Sequence, residues 1–474
     1  MKKHLFINGK WKEAAVYIDL FSPYSGELIA QVAQADDEDA EDAIQAAEAA
    51  RTIMKKMPAH ERAAILEKTA HLMEERKEEL ARLLAMEAAK PIRTGRTEIS
   101  RTIHTYKFAA EEAKRIHGET VPLDAAPGGE GRLAFTVRKP LGIVGAITPF
   151  NFPFNLVAHK VGPAIAAGNT VVLKPAGQTP LSSLALAEIM LEAGLPAGAL
   201  NVILGKGSVI GEKLVRDRRI AAITFTGSPE VGIAMKNKAG LKRVTLELGS
   251  NSAVIIDNNV DITQQLVDRC VLGAFSFSGQ VCISIQRIYV HEGKYETFAA
   301  MFKTAVEKLV IGDPLEEATD MSSLISCKEV DRITSWVSAA IAGGAIALSG
   351  GKALSPSLFP PTILTNVAET ATVSCQEVFG PVVTLTPFTT LDEAVSAVNN
   401  SRFGLQAGIY TNDINAALRA AEDLEVGGVM INDIPTFRVD NMPYGGLKDS
   451  GVGREGVKYA VEEMTELKLI SLKL

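Results

Sequence analysis

Apolar and polar positions follow three successive rhythms along this chain. Between about residues 37 and 117 the rhythm is helical. Ala63, Leu66, Ala70 and Met73 recur at steps of three and four, while Glu74, Glu75, Lys77 and Glu78 fall on the wet side. Pro58 stands near the start of that helix and Pro91 near its end, where a fixed φ and a missing N–H do least harm. From about 141 to 256 short apolar runs take over, at 141–148, 170–174, 199–204, 221–226, 245–248 and 253–256. Amphipathic stretches separate several of them, such as 182–193, which is closed by Gly194 and then Pro196. Buried strands alternating with helices predict βαβ units and a parallel sheet. From about 270 to 445 the alternation resumes, with runs at 287–291 and 383–387 followed by helical stretches at 295–309 and 391–399. This predicts a second α/β domain. The final stretch, 465–474, alternates as a strand without a turn partner, which predicts pairing with another sheet edge or another subunit. No internal repeat or low-complexity linker interrupts the pattern.

Composition narrows the function classes. A chain of 474 residues is long enough for about two to four compact units. With 49 Lys and Arg against 56 Asp and Glu, the net charge of −7 excludes a general polyanion-binding surface, so no nucleic-acid partner is expected. A hydrophobic content of 47% with little net charge per residue excludes disorder as the main state. No apolar run approaches the roughly 18–20 residues needed to span a bilayer, and the basic opening Met1-Lys2-Lys3 lacks the apolar stretch of a signal peptide. No membrane association is expected. The four cysteines, Cys270, Cys282, Cys327 and Cys375, show no CxxC and no metal-like spacing to histidine. The expectation is therefore no metal, no disulfide framework and a reducing cytoplasm.

Parallel sheets bind ligands at the carboxyl ends of their strands, so the residues after each run are the ones to weigh. Cys282 follows Ser278-Gly279-Gln280-Val281, a turn whose backbone N–H groups suit a thiolate, although buried structural cysteines are common. Glu247 interrupts the run Val244-Thr245-Leu246, where a carboxylate is either a buried base of raised pKa or a strand-end group reaching water. Asn151 lies between Pro149 and Pro153 directly after a buried run, either as a held oxyanion donor or as ordinary turn chemistry. Lys174 ends another run. Gly205, Gly207 and Gly211 are spaced GxGxxxG, which is not the dinucleotide fingerprint. Thr226-Gly227-Ser228-Pro229 ends a strand and opens a helix, as a pyrophosphate site does.

Jointly these segments resemble the aldehyde dehydrogenase superfamily from about residue 5 to the C-terminus. Six pieces stand in that family's order: Pro149-Phe150-Asn151-Phe152-Pro153, Val172-Leu173-Lys174-Pro175, Phe225-Thr226-Gly227-Ser228, Leu246-Glu247-Leu248-Gly249, Gly279-Gln280-Val281-Cys282 and Glu377-Val378-Phe379-Gly380-Pro381. The resemblance implies an α/β fold. It has a Rossmann-like cofactor domain (1–118 and 138–246), a catalytic domain (247–445), and an oligomerisation arm with a C-terminal strand (119–137 and 446–474). It also implies a homodimer or homotetramer that takes a small-molecule aldehyde and NAD or NADP. Cys282 would be the nucleophile, Asn151 and the Cys282 N–H the oxyanion hole, Glu247 the base that activates water, and Glu455 a proton relay. Thr148, Pro149, Lys174, Gly177, Gly205, Thr226, Gly227, Ser228, Glu377 and Phe379 would hold the cofactor.

Departures from the family pattern carry information. The family often has a glutamate three residues beyond the lysine, and this chain has Gly177, which removes a repulsion against a 2′-phosphate and leaves Lys174 free to meet one. Leu248-Gly249-Ser250-Asn251 replaces the family's Leu-Gly-Gly-Lys, at the loss of an ion-pair candidate. Arg101, His159 and Arg438 occupy positions resembling substrate contacts in relatives acting on lactaldehyde, phosphonoacetaldehyde or glyceraldehyde 3-phosphate, which implies a small polar or anionic aldehyde. For each of the three, a salt bridge or a solvated side chain is the plain alternative. Two competing functions are a CoA-acylating dehydrogenase, which usually lacks a glutamate at the position of Glu247, and a non-catalytic protein reusing the fold, which has no need of Cys282, Glu247 and Asn151 together.

Overall fold

The computed structural model describes all 474 residues. The apolar runs form two sheets. The first has eight strands in the order Gly451–Val452, Arg243–Glu247, Ile220–Thr226, Ile143–Ile147, Thr170–Lys174, Leu200–Val202, Leu5–Ile7 and Lys10–Lys12. Its five strands from Arg243–Glu247 to Leu200–Val202 are parallel. Ile143–Ile147 and Thr170–Lys174 are buried along their whole length, because helices such as Asp37–Lys56 and Asn155–Ala167 pack on them. This is why the sequence reads there as continuous apolar runs.

The second sheet has seven strands in the order Ile346–Ser349, Thr362–Thr365, Val382–Phe388, Arg287–His291, Ala253–Ile256, Gln406–Tyr410 and Gly428–Ile431, all parallel except the first. Ala253–Ile256 thus belongs to the second sheet, although its apolar rhythm continues that of the runs before it. The chain passes between sheets in residues 248–252, and an apolar rhythm that continues across the crossing gives no sign of the change.

The long helical region is four helices, Asp37–Lys56, Ala59–Glu75, Lys77–Ala88 and Ile92–Ala113. Pro91 opens the last of these, where the sequence had it near a helix end, and Ala89 at φ +52° stops the helix before it. Strand Arg132–Pro140 pairs antiparallel with Thr465–Lys473 over nine residues. It runs three residues beyond the limit of 137 that the resemblance implies for the arm. The stretch after 446 also does more than form that ribbon. Gly451–Val452 joins the first sheet, and Val457, Val461 and Met464 enter the first sheet's core. No helix is long and apolar enough to cross a membrane.

Candidate active site

Cys282 is delivered by a tight turn. Helix Gln264–Phe275 ends in three successive residues with left-handed backbone, Phe277 (φ +48°), Ser278 (φ +55°) and Gly279 (φ +70°). Glycine is required at 279, since a Cβ there would lie 2.1 Å from the carbonyl oxygen of Gly380. Beyond the turn, Cys282 lines a cavity of about 480 Å³ with Pro149, Asn151, Thr226, Gly227, Ser228, Glu377 and Phe379. Burial pushes its thiol up to about 11, against a hydrogen bond with Tyr444. Of the other cysteines, Cys270 is buried, Cys327 is exposed and neither they nor Cys375 line this cavity.

Asn151 is fixed from beneath by charges. Its backbone carbonyl accepts from Lys90 Nζ at 2.5 Å, and Lys90 is ion-paired with Glu98; both side chains are fully buried. Glu98 Oε1 also accepts from the backbone N–H groups of Phe154 (3.0 Å) and Asn155 (3.2 Å), which anchors the entry to helix Asn155–Ala167. The Asn151 amide donates to Gln280 O at 3.0 Å, joining its loop to the cysteine loop. A second amide hydrogen and the Cys282 N–H bond no protein acceptor.

Two buried carboxylates are driven apart. Glu247 ends its strand with both oxygens unpartnered, and burial, helped by the charge of Glu455, raises its pKa well above the ordinary range. Gly445 leaves it room, as a Cβ there would come to 3.0 Å from Oε1. Burial acts on Glu455 in the same direction, but Lys160 (2.8 Å) and Arg438 (3.0 Å) outweigh it and hold Glu455 below that range. Carboxylates separated in this way divide the protonated and ionised roles between them.

Sequence reasoning missed Tyr444 and Asp440. Tyr444 Oη lies 2.9 Å from Cys282 Sγ, and the ring stacks over the Arg438 guanidinium at 3.6 Å. Asp440 accepts from Arg101 (2.7 and 3.3 Å), Asn155 Nδ2 (3.1 Å) and His159 Nε2 (2.8 Å). Burial alone would raise Asp440, but His159 and Arg101 hold it well below the usual range. His159 is pushed down by burial and by Arg438, against the hydrogen bond to Asp440, and its Nδ1 has no partner. Arg438 is buried with Nε unpartnered. Arg101 and His159 therefore meet at one carboxylate, and Arg438 lies beneath Tyr444.

The other end of the cavity fits a dinucleotide. Ser228 caps helix Pro229–Lys238 at the end of strand Ile220–Thr226, and a Cβ at Gly227 would strike the Phe225 ring at 2.5 Å. The hydroxyls of Thr148 and Thr226 are buried without partners, as polar atoms awaiting a ligand are. Glu377 accepts from the Ser250 N–H at 2.9 Å, and burial pushes it up to about 7. Phe379 packs edge-on against Phe150. Farther along the sheet edge, Lys174 is buried, its pKa lowered by burial, and bonds only the carbonyl of Pro175 (3.1 Å). Gly177 is exposed with open space where a Cβ would stand, and Gly205 packs against Ile210 and the carbonyl of Ala35. In place of the family lysine, Asn251 bonds Ser374 O, Arg287 and Ser401. No group of three or more His, Cys, Asp or Glu is gathered as metal ligands.

The chain is 48% identical over 470 residues to 3-sulfolactaldehyde dehydrogenase of Priestia aryabhattai, covering 99% of this chain and 98% of that one. It superposes on aldehyde dehydrogenase 21 from Physcomitrella patens, solved in complex with its reaction product succinate, with a TM-score of 0.97 and 43% identity, covering 100% and 98% of the two chains. It also superposes on glyceraldehyde-3-phosphate dehydrogenase from Methanocaldococcus jannaschii complexed with NADP, with a TM-score of 0.92 and 42% identity over 96% and 99%. The model of the aldehyde dehydrogenase family matches residues 11–470, and the chain belongs to that family.

Proposed function

We propose that this enzyme oxidises a small polar or anionic aldehyde to its carboxylate with NAD or NADP, through a thioester on Cys282 that is hydrolysed by water. The observation that carries the reading is the single cavity holding Cys282 and the Asn151 loop at one end and the Thr226-Gly227-Ser228 turn at the other. The Cys282 thiolate adds to the aldehyde carbon, and the charge gathered on oxygen meets the Asn151 amide and the Cys282 N–H. A bound nicotinamide supplies the hydride acceptor. Glu247, once ionised, takes a proton from the water that attacks the thioester carbonyl, and Cys282 leaves as thiolate. Glu455, held ionised between Lys160 and Arg438, is the neighbouring relay.

Charge supports an anionic substrate. Arg101, Arg438 and Lys160 outnumber the ionised Asp440 and Glu455, and the relatives named above handle a sulfonate, a phosphate and a succinate. The free Lys174 and the open space at Gly177 support acceptance of NADP. Exposed Leu133, Leu467, Leu469 and Leu472 on the C-terminal ribbon support a homodimer or homotetramer, and composition supports a cytoplasmic enzyme.

Absorbance of NAD(P)H tests the reading, with wild type against Cys282→Ala, short anionic against long apolar aldehydes, and free CoA present or absent. Turnover without CoA that disappears in the variant is expected. Turnover only with CoA overturns the hydrolytic route, and a higher kcat/KM for long apolar aldehydes overturns the substrate class.

A further inference from the structure

The role proposed for Cys282 asks a half-buried thiol to ionise in poor surroundings. Glu247 and Glu377 lie near enough to oppose a thiolate, and Arg438, the cation that favours it, lies against the face of the Tyr444 ring. The only side-chain polar atom within hydrogen-bonding distance of Sγ is Tyr444 Oη, at 2.9 Å. That hydroxyl has no other partner. A phenylalanine would fill the same space and stack on Arg438 equally well, so what the oxygen adds is its bond to sulfur.

The phenol is held in place from three sides. The backbones of Tyr444 and Glu455 exchange hydrogen bonds in both directions (3.0 and 2.7 Å). Arg438 lies under the ring at 3.6 Å and is clamped in turn by Glu455 Oε2 at 3.0 Å. A cation against the ring face makes the hydroxyl a stronger donor, and a donor to an ionised acceptor in a water-poor site gives one of the stronger hydrogen bonds available to a protein.

We propose that Tyr444 is a further catalytic residue of this enzyme, whose hydroxyl donates a hydrogen bond to the Cys282 sulfur and stabilises the thiolate both before attack and as it leaves the hydrolysed thioester. Burial holds the phenol well above its ordinary pKa, so it keeps its proton throughout and is not the base that takes the thiol's. The inference rests on Cys282 being the nucleophile.

Alkylation of the full-length enzyme by iodoacetamide across a pH series tests it without requiring turnover, with Cys282→Ser identifying the labelled thiol. In Tyr444→Phe the alkylation midpoint is expected to rise by about one pH unit, which makes labelling roughly tenfold slower at a fixed pH below it. With 3-fluorotyrosine at 444, which preserves shape and packing but is more acidic, the midpoint is expected to fall. The first-turnover burst should slow in Tyr444→Phe while the KM for the nicotinamide cofactor is unchanged. Midpoints that stay put in both variants overturn the proposal. Should Cys282→Ser retain turnover, the nucleophile assignment falls first, and that result is read separately from the labelling profiles.

Discussion

The polar groups along the first sheet's edge and the ion pairs around Asp440 and Glu455 are built on opposite plans. At the cofactor end the polar groups stand without partners: the hydroxyls of Thr148 and Thr226 are orphaned, and Lys174 bonds only its neighbour's carbonyl. Around Asp440 and Glu455, where the substrate is proposed to bind, nearly every charge is already matched, with Arg101 and His159 on Asp440, and Lys160 and Arg438 on Glu455. The first plan leaves binding capacity for a large polar ligand to satisfy. The second spends its hydrogen bonds on holding Tyr444, Glu455 and the loops around them in place, and leaves both oxygens of Glu247 unmatched along with His159 Nδ1 and Arg438 Nε.

The largest effect is expected at that unmatched carboxylate. Glu247→Gln should lower steady-state turnover by roughly 10²–10⁴-fold while the first-turnover burst of NAD(P)H survives, because only the hydrolytic half loses its base. Since burial raises Glu247, wild-type hydrolysis should climb with pH above the ordinary carboxylate range, and stopped-flow profiles of the variant should lack that limb. A burst lost together with turnover would assign Glu247 to the first half-reaction instead.

Breaking the matched end should next cost stability. Asp440→Ala strands Arg101 and His159 and should lower unfolding free energy by about 3 kcal/mol in denaturant titrations. Pairing depresses Asp440, so its contribution is complete above roughly pH 4 and is lost as pH falls below that. The variant should therefore show a flatter acid limb.

The same kind of change at the cofactor end should behave differently. Lys174→Met removes a buried, unpaired cation, so the thermal midpoint should hold or rise while the KM for NADP increases about tenfold more than that for NAD. A destabilised Lys174→Met would end the contrast between the two plans. The smallest effect belongs to Gly177→Glu, which has open space for its side chain and should shift kcat/KM toward NAD by several-fold, on the order of 1 kcal/mol.

Strand ends were legible in the sequence because strands covered on both faces read as unbroken apolar runs. Lys174, Thr226 and Glu247 all close such runs at the sheet edge. Which sheet a run joins was not legible from its rhythm alone: Ala253–Ile256 continues the rhythm of the first sheet's runs and pairs in the second. Tyr444 and Asp440 were illegible for a different reason. Their meaning lies in partners 162 and 339 positions away, Cys282 and Arg101, and no local pattern carries such a pairing. Lys90 and Glu98 look like solvated residues of a helical stretch, yet both are buried, and only tertiary packing reveals them as the footing of Asn151.

The five residues from 248 to 252 act as a tether of fixed length. They join the end of one sheet to the start of the other, and Ser250 and Asn251 are tied to Glu377 and Ser374 on the way. Five residues span at most about 18 Å when fully extended. The tether has little slack, so any widening of the cleft pulls first on Glu247 at one end and on the Glu377 contact in the middle. Glu247 and Glu377 are thus harnessed to the same short cord, and loosening one disturbs the other.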